Sequence, residues 1–351
     1  SSADYLGVDP TRRSLTGTGG YVKVGRKGNA KWNFSETFTW SSPGFDLNDM
    51  GYMKETDYLM NETEIMYRQT DIWKIFRYNA FTLSQKNMWN YGGTPFSNNA
   101  SLRWQSMTMN RYEWDVKETF AWNWLDSRLL RGGPDVRFGS YFLTSAKFNT
   151  DKAKRMMFML KYEGDHNFEG NRFNTISPSL TFRLGNHVYL SGQLDYAWNT
   201  DEMQYVATTS PLSSSSLAPY YYVMGHMDQK TYGLTLKLQV NVTPDISIQF
   251  YGAPFTSIAK YDDFKLAADT KSHTFENRFQ RIDPDQLTYA DGVYTIGEGA
   301  GQMPFRNPDF RFNEFRSNLV AAGNTCPVPR FISYGNTGCL TGTTGTPPAG
   351  K

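Results

Sequence analysis

Hydrophobic and polar side chains alternate along this chain over long stretches. From Thr231 to Pro254 the even positions carry Tyr232, Leu234, Leu236, Leu238, Val240, Val242, Ile246, Ile248 and Phe250. The odd positions carry Thr231, Thr235, Lys237, Gln239, Asn241, Asp245, Ser247 and Gln249. A period of two sends successive side chains to opposite faces of an extended strand. The pattern predicts a hairpin over 230–254 with one apolar face, turning at Thr243-Pro244-Asp245. Proline there supplies a turn's φ and is asked for no ladder donor. Leu180, Phe182 and Leu184 alternate into Gly185-Asn186-His187, and Val188, Leu190, Leu194, Tyr196 and Trp198 return against Ser191, Gln193, Asp195 and Asn199. Strand-like segments also occupy 30–41, 63–70, 76–87, 99–108, 111–124, 137–148 and 154–163, with a last one beginning near 312.

The connections choose between a soluble sandwich and a barrel. Short turns at 185–187, 243–245 and near Asn110 alternate with long polar stretches at 42–62, 125–136, 199–230 and 256–311. Short turns on one rim and long loops on the other mark outer-membrane barrels. Loops as long as the last stretch are uncommon in compact soluble domains. Composition supports this choice: only 39% of residues are hydrophobic, yet 16% are aromatic. A wall with one face in lipid and one in water averages to polar while keeping its aromatic girdles. No run approaches the roughly 20 apolar residues of a transmembrane helix. The polar start Ser1-Ser2-Ala3-Asp4 shows no signal peptide, so any export signal is expected upstream or already removed.

The segment Trp32-Asn33-Phe34-Ser35-Glu36-Thr37-Phe38-Thr39-Trp40 is echoed by Trp114-Asp115-Val116-Lys117-Glu118-Thr119-Phe120-Ala121-Trp122. Aromatics at both ends suit two interfacial girdles. Glu36 and Glu118 then share the aromatic face near mid-strand, where a carboxylate is unfavourable in lipid. They are candidate lumen or partner contacts. On one reading they bond to neighbouring strands or a protein partner. On a second the strands are inverted, and aromatics and Glu line the lumen as a sugar-stacking track; on a third the match is coincidence or the work of local bulges.

Catalytic constellations are not found. The four histidines show no metal-ligand spacing, and there is no Gly-x-Ser-x-Gly elbow or phosphate loop. His187 and Ser191 are four residues apart on one strand, about 13 Å, too far to act as a pair. Asp46 and Asp49, and Asp262 and Asp263, are weak loop candidates for calcium, and Glu163-Gly164-Asp165-His166 is expected at a loop tip. A net charge of +2 points to neither nucleic acid nor acidic substrates. No cofactor and no enzymatic activity are expected. Cys326 and Cys339 both fall in an atypical tail and carry no redox inference.

Three segments carry a family resemblance: Ser42-Pro43-Gly44-Phe45-Asp46-Leu47-Asn48-Asp49-Met50-Gly51-Tyr52, Leu129-Leu130-Arg131-Gly132-Gly133-Pro134, and Asn307-Pro308-Asp309-Phe310 through Asn313-Glu314-Phe315-Arg316-Ser317-Asn318-Leu319-Val320. In these the chain resembles an uncharacterised family of outer-membrane proteins. Its members join an N-terminal domain similar to carbohydrate-binding-module family 9 to a large C-terminal barrel. The resemblance implies a barrel in the outer membrane and supplies no function; its sugar-binding domain would lie upstream of Ser1. After Val320 the chain departs from the family's aromatic closing strand. Bases spelling Trp-Glu-Tyr, read one base late, give Gly-Asn-Thr, as at Gly323-Asn324-Thr325. Residues 321–351 are therefore expected to be an irregular, out-of-frame tail.

The expected architecture is all-β: an antiparallel transmembrane β-barrel of the outer-membrane type over 1–320, incomplete in this chain, with long loops on one rim and short turns on the other. The expected function is a porin- or transporter-like channel linked to glycan handling at the surface of a Gram-negative cell. A structural or assembly subunit of an outer-membrane complex is the alternative, and a barrel enzyme ranks last. Expected partners are outer-membrane lipid, with other outer-membrane proteins and glycans as further candidates.

Overall fold

The computed structural model describes residues 6, 11, 13–46, 53, 55–122, 124–185, 187–212 and 219–323, and the backbone of 331–335. The fold is all-β and antiparallel. In chain order the strands are β1 (Gly19–Arg26), β2 (Trp32–Ser41), β3 (Tyr58–Gln69), β4 (Phe76–Trp89), β5 (Pro95–Thr108), β6 (Glu113–Trp122), β7 (Trp124–Asp126), β8 (Val136–Phe138), β9 (Tyr141–Asn149) and β10 (Met156–Asn167). They continue with β11 (Arg172–Leu184), β12 (Val188–Thr209), β13 (Tyr221–Asn241), β14 (Ile246–Ala267), β15 (Phe279–Arg281), β16 (Leu287–Ala290), β17 (Val293–Ile296), β18 (Met303–Arg306), β19 (Phe310–Gly323) and β20 (Phe331–Gly335). A one-turn helix, α1 (Phe275–Arg278), precedes β15.

One large sheet runs β1-β2-β3-β4-β5-β6-β9-β10-β11-β12-β13-β14-β19-β20, with β15 added at the far end of β14. Neighbours are consecutive in sequence except where small sheets are inserted, so the sheet is a meander. It is open between β1 and β20: no pairing between these two joins its ends among the described residues.

The predicted hairpin is present. β13 pairs with β14 in the register Val240↔Ile248, Leu238↔Phe250 and Leu236↔Gly252. At its turn the Thr243 hydroxyl accepts from the amides of Asp245 (3.2 Å) and Ile246 (3.0 Å), which ties a bend whose Pro244 has no N–H.

Opposed residues of an antiparallel ladder share a face. One face follows Phe34↔Ile65↔Leu83↔Leu102 through β2–β5, and Leu190↔Leu238↔Phe250↔Leu319 through β12, β13, β14 and β19. Its large side chains are open: Phe34, Leu83, Leu102, Leu194 and Leu319 are 53–56% exposed. The other face follows Ser35↔Glu64↔Ser84↔Ser101↔Thr119, and there Ser35, Thr82, Ser101, Thr119, Ser177, Thr181 and Ser257 are buried. Those polar groups bond to one another, as in Ser84–Ser101 (2.7 Å), Thr181–Ser191 (3.0 Å) and Ser177 to Asp195 (2.6 Å). Exposed apolar groups on one face and buried polar groups on the other invert the burial rule of water-soluble proteins.

The apolar cores lie at one rim. β12, β13 and β14 project through 199–209, 221–229 and 259–267, with register breaks between Asp201 and Gln204, Tyr205 and Ala207, and Met224 and His226. One face of this ribbon joins Met203 and Met224 to Leu130, Val136 and Phe279, and the other joins Val223 and Phe264 to Ile296 and Phe305 of the small sheet β16–β18. The ribbon is thus covered on both sides.

Several sequence expectations are corrected here. Residues 199–209, 221–230 and 256–267 are strand, not loop, because covering on both faces of the projecting part removes the alternation that would reveal them. The 42–62 stretch ends at Tyr58, where β3 starts, and 125–136 contains parts of β7 and β8. Glu163 to His166 lie within β10, paired on both sides, and are no loop tip. The long-loop rim also carries two tight connections, 90–94 and 168–171. The tail is not irregular from Ala321: Ala321, Ala322 and Gly323 pair with Ile248, Ser247 and Ile246, and the backbone of 331–335 pairs with β19.

Candidate functional site

The polar face is the first candidate. Alternation places Arg103 and Asp115 on adjacent strands β5 and β6, where Arg103 Nε donates to Asp115 Oδ1 at 2.7 Å and Nη2 donates to Oδ2. Gln105 Nε2 adds a third donor to Asp115 (3.2 Å). Lys161 pairs with Glu163 along β10 (2.7 Å), and Glu62 opposes Lys86 across β3 and β4. Farther round, Gln193 Nε2 and Ser177 Oγ both donate to Asp195 (2.8 and 2.6 Å). Both charge signs are interspersed and partly solvated. Such a surface can take over the hydration of ions and polar solutes without holding any one tightly.

The second candidate is a cleft of about 540 Å³ where the apolar face meets the projecting ribbon. Trp198 and Tyr232 line it, and Tyr196 beside the cleft stacks with both (5.2 and 5.0 Å). Above this shelf stand His226, Asp228, Asp262, Lys230 and Lys260. His226 Nδ1 is 3.1 Å from Glu202 Oε1 and its Nε2 is 3.6 Å from Asp228 Oδ2. Thr200 Oγ1 donates to Asp228 (2.9 Å). Burial disfavours the His226 cation, but the Glu202 hydrogen bond and charge, with Asp262 and Asp228, outweigh it and hold the imidazole above its ordinary pKa.

A buried clamp fastens the rim. Arg278, 1% exposed, uses all five N–H groups: Nε to Ser272 O (2.8 Å), Nη1 to Arg137 O (2.7 Å) and Glu169 Oε2 (3.0 Å), and Nη2 to Glu169 Oε1 (2.6 Å) and His273 O (3.3 Å). Glu169, in the β10–β11 turn, also accepts from the Gly139 amide (3.0 Å). Three segments distant in sequence, β8, the β10–β11 turn and the loop before α1, are joined through one guanidinium.

The sequence candidates fall apart from one another. Glu36 and Glu118 do lie on the apolar face, opposite Thr63 and Thr144. Glu36 accepts from Asn61 Nδ2 and from Thr63 Oγ1 (2.6 Å), and Glu118 accepts from Thr144 Oγ1 (2.7 Å). Neighbouring strands therefore supply their partners. Asp46 follows β2, and Asp49 lies outside the described residues. Asp262 and Asp263 are in β14 rather than in a loop: Asp262 opposes His226, while Asp263, left-handed at φ 42°, pairs with Lys265 (3.2 Å) and Arg281 (3.6 Å). No group of three His, Cys, Asp or Glu suited to a metal ion occurs among the described residues. His187 and Ser191 bond elsewhere, to Asn241 O (3.3 Å) and Thr181 (3.0 Å). Sequence reasoning missed His226 and Arg278. His226 sits at a register break, and Arg278 in a stretch without periodicity.

Neither a search of curated proteins nor a search of solved structures found a match. A family model described as "Domain of unknown function (DUF5916)" matches residues 5–289. That span covers most of the meander, from before β1 to the start of β16, and the chain belongs to this DUF5916 family.

Proposed function

We propose that this chain forms wall of an outer-membrane β-barrel in a Gram-negative bacterium, and that its polar face borders a water-filled path for ions and hydrated polar solutes, glycan fragments among them. The observation that carries this reading is the inverted burial: Phe34, Leu83, Leu102, Leu194 and Leu319 are open while Ser35, Ser101, Thr119, Thr181 and Ser257 are buried. In water that arrangement exposes a broad apolar surface; between lipid and a wet lumen both faces are matched. Short connections at 70–75, 109–112, 150–155, 185–187 and 242–245 on one rim, and the covered ribbon on the other, support it. So does the resemblance to outer-membrane proteins in Ser42–Tyr52 and Leu129–Pro134. Backbone groups on the free side of β1 would have no water in lipid, so in the membrane this edge pairs with a further strand.

The test is conductance of the intact protein, purified from membranes and inserted in a planar bilayer. Discrete current steps are expected, and Arg103→Glu should shift their selectivity toward cations. A protein that stays monodisperse in water without detergent, or inserts without conducting, would overturn the proposal.

A further inference from the structure

On β11–β14 and β19 the apolar face changes character at one level. From Val242 to Tyr232 on β13, and over the matching stretches of its neighbours, it holds no charged side chain. Charges begin one rung nearer the ribbon. There the register sets Trp198↔Lys230↔Ile258↔Arg311 side by side, and the next rung is Arg172↔Thr200↔Asp228↔Lys260. Lys230 and Arg311 flank Ile258, about 10 Å apart across two strand spacings, and Lys260 follows about 7 Å farther along β14. At the ribbon-side ends of β2, β3 and β4 this face carries Trp40, Leu59 and Trp89 instead, so the cations are not a feature of the whole rim.

Arg172, Lys230, Lys260 and Arg311 are exposed, and among the described residues none of them makes an ion pair or a side-chain hydrogen bond. Nearby carboxylates are equal in number but engaged elsewhere. Glu202 and Asp228 meet His226, Asp228 also accepts from Thr200, and Asp309 accepts from the Tyr261 amide (2.7 Å). Asp262 opposes His226, one rung beyond Lys260. Three unpartnered cations around one isoleucine suit a compact, multiply charged anion such as a phosphate ester.

The surroundings indicate what carries that phosphate. Trp198 and Tyr232 line the same cleft and offer flat apolar faces to the C–H side of a sugar ring. Away from the ribbon the face continues through Leu234, Leu236, Leu238, Phe250 and Phe315, a surface for acyl chains. Toward the ribbon Met224, two residues from His226, is packed under Leu130, Val136 and Phe279. A free phosphate would leave the rings and the apolar wall unused, and a phospholipid would leave the rings unused.

We infer that Lys230, Lys260 and Arg311, with Trp198 and Tyr232 beside them, hold the phosphorylated sugar headgroup of a glycolipid whose acyl chains lie along β12–β14 and β19. The inference rests on the lipid-facing reading above, in which the long-loop rim is the outer one and the site therefore belongs to the outer leaflet.

The intact protein, inserted in phosphatidylcholine vesicles doped with lipid A and then weighed by native mass spectrometry, tests this. One lipid A should be retained per chain. Lys230→Gln/Lys260→Gln/Arg311→Gln should bind it about a hundredfold less tightly, and Trp198→Leu should weaken it severalfold. Should the triple variant fail to insert, Lys260→Gln alone must still weaken binding about fivefold. Lys237→Gln, on the polar face, should bind as the unmodified chain does; an equal loss there overturns the assignment to this face. Equal retention of lipid A stripped of its phosphates overturns the cation site, and equal retention of phosphatidylglycerol overturns the sugar. Full displacement by inorganic phosphate makes a free anion the ligand and overturns the lipid. A chain that inserts yet retains no lipid A overturns the site and leaves the lipid-facing reading standing. A chain that does not enter the vesicles overturns that reading, and the site with it.

Discussion

Replacing Arg278 with methionine should release the rim while sparing the wall. The guanidinium makes five donor contacts of 2.6–3.3 Å, two to Glu169 and three to main-chain carbonyls. At about 1.5–3 kcal/mol for each hydrogen bond from a charged group, a simple sum exceeds about 7 kcal/mol. Contacts to one group are not additive, however, and local opening lets Glu169 and the carbonyls find water. The figure for breaking one side of a buried ion pair, about 3–5 kcal/mol, is the better guide. Hydrogen exchange of membrane-embedded protein reads it directly. Amides in 129–138 and 268–282 should exchange about 150–5,000 times faster, whereas amides of β3, β4 and β13 should not change. Pairing Arg278→Met with Glu169→Leu should restore part of the protection, since no carboxylate is then left buried without its partner. Unchanged exchange in the single variant, or acceleration spread evenly through the wall, would refute the clamp.

Arginine at Leu236 should cost about 2–4 kcal/mol in bilayer unfolding, and arginine at Gln239, on the other face, much less; equal costs would show the faces misassigned. NMR titration of His226 should give a pKa above the unfolded value of about 6.5, falling in Glu202→Gln. Because the folded value is raised, the stabilisation is fully present below about pH 6.5 and is lost as pH climbs through the folded pKa, so the projecting ribbon should loosen in mild alkali. Thr243→Val removes two acceptor contacts at the β13–β14 turn and should lower stability by about 1 kcal/mol, read from bilayer unfolding midpoints.

The sequence revealed the wall where one face is apolar and the other polar, because only there does a period of two survive. Leu234 to Phe250 shows this, and its register needed nothing beyond the turn at Pro244. At 199–209 and 259–267 the same strands continue, but Met203 and Phe264 pack into cores on opposite faces and bulges shift the phase. Polarity no longer alternates, and the segments resemble loops. Glu36 and Glu118 stood out as acidic residues among aromatics, and their faces followed from parity alone. That they occupy different rows, Glu36 beside Thr63 and Glu118 between Leu102 and Thr144, required the register of the ladders. Arg278 meets Glu169 across more than a hundred residues of chain, and no local pattern encodes such a meeting.

The ladder also sets how the gene can change length. Deleting one residue inside β4 or β13 would move every later side chain of that strand to the opposite face, sending Leu to the polar face and Lys or Gln to the apolar one. Length variation in the wall is therefore confined to steps of two residues or to whole hairpins. The ribbon obeys a looser rule, since its bulges at 201–204, 205–207 and 224–226 already absorb odd steps and both of its faces are covered. Related chains should accumulate single-residue insertions there and in the loops packed on it, so that the rim diversifies while the wall keeps its phase.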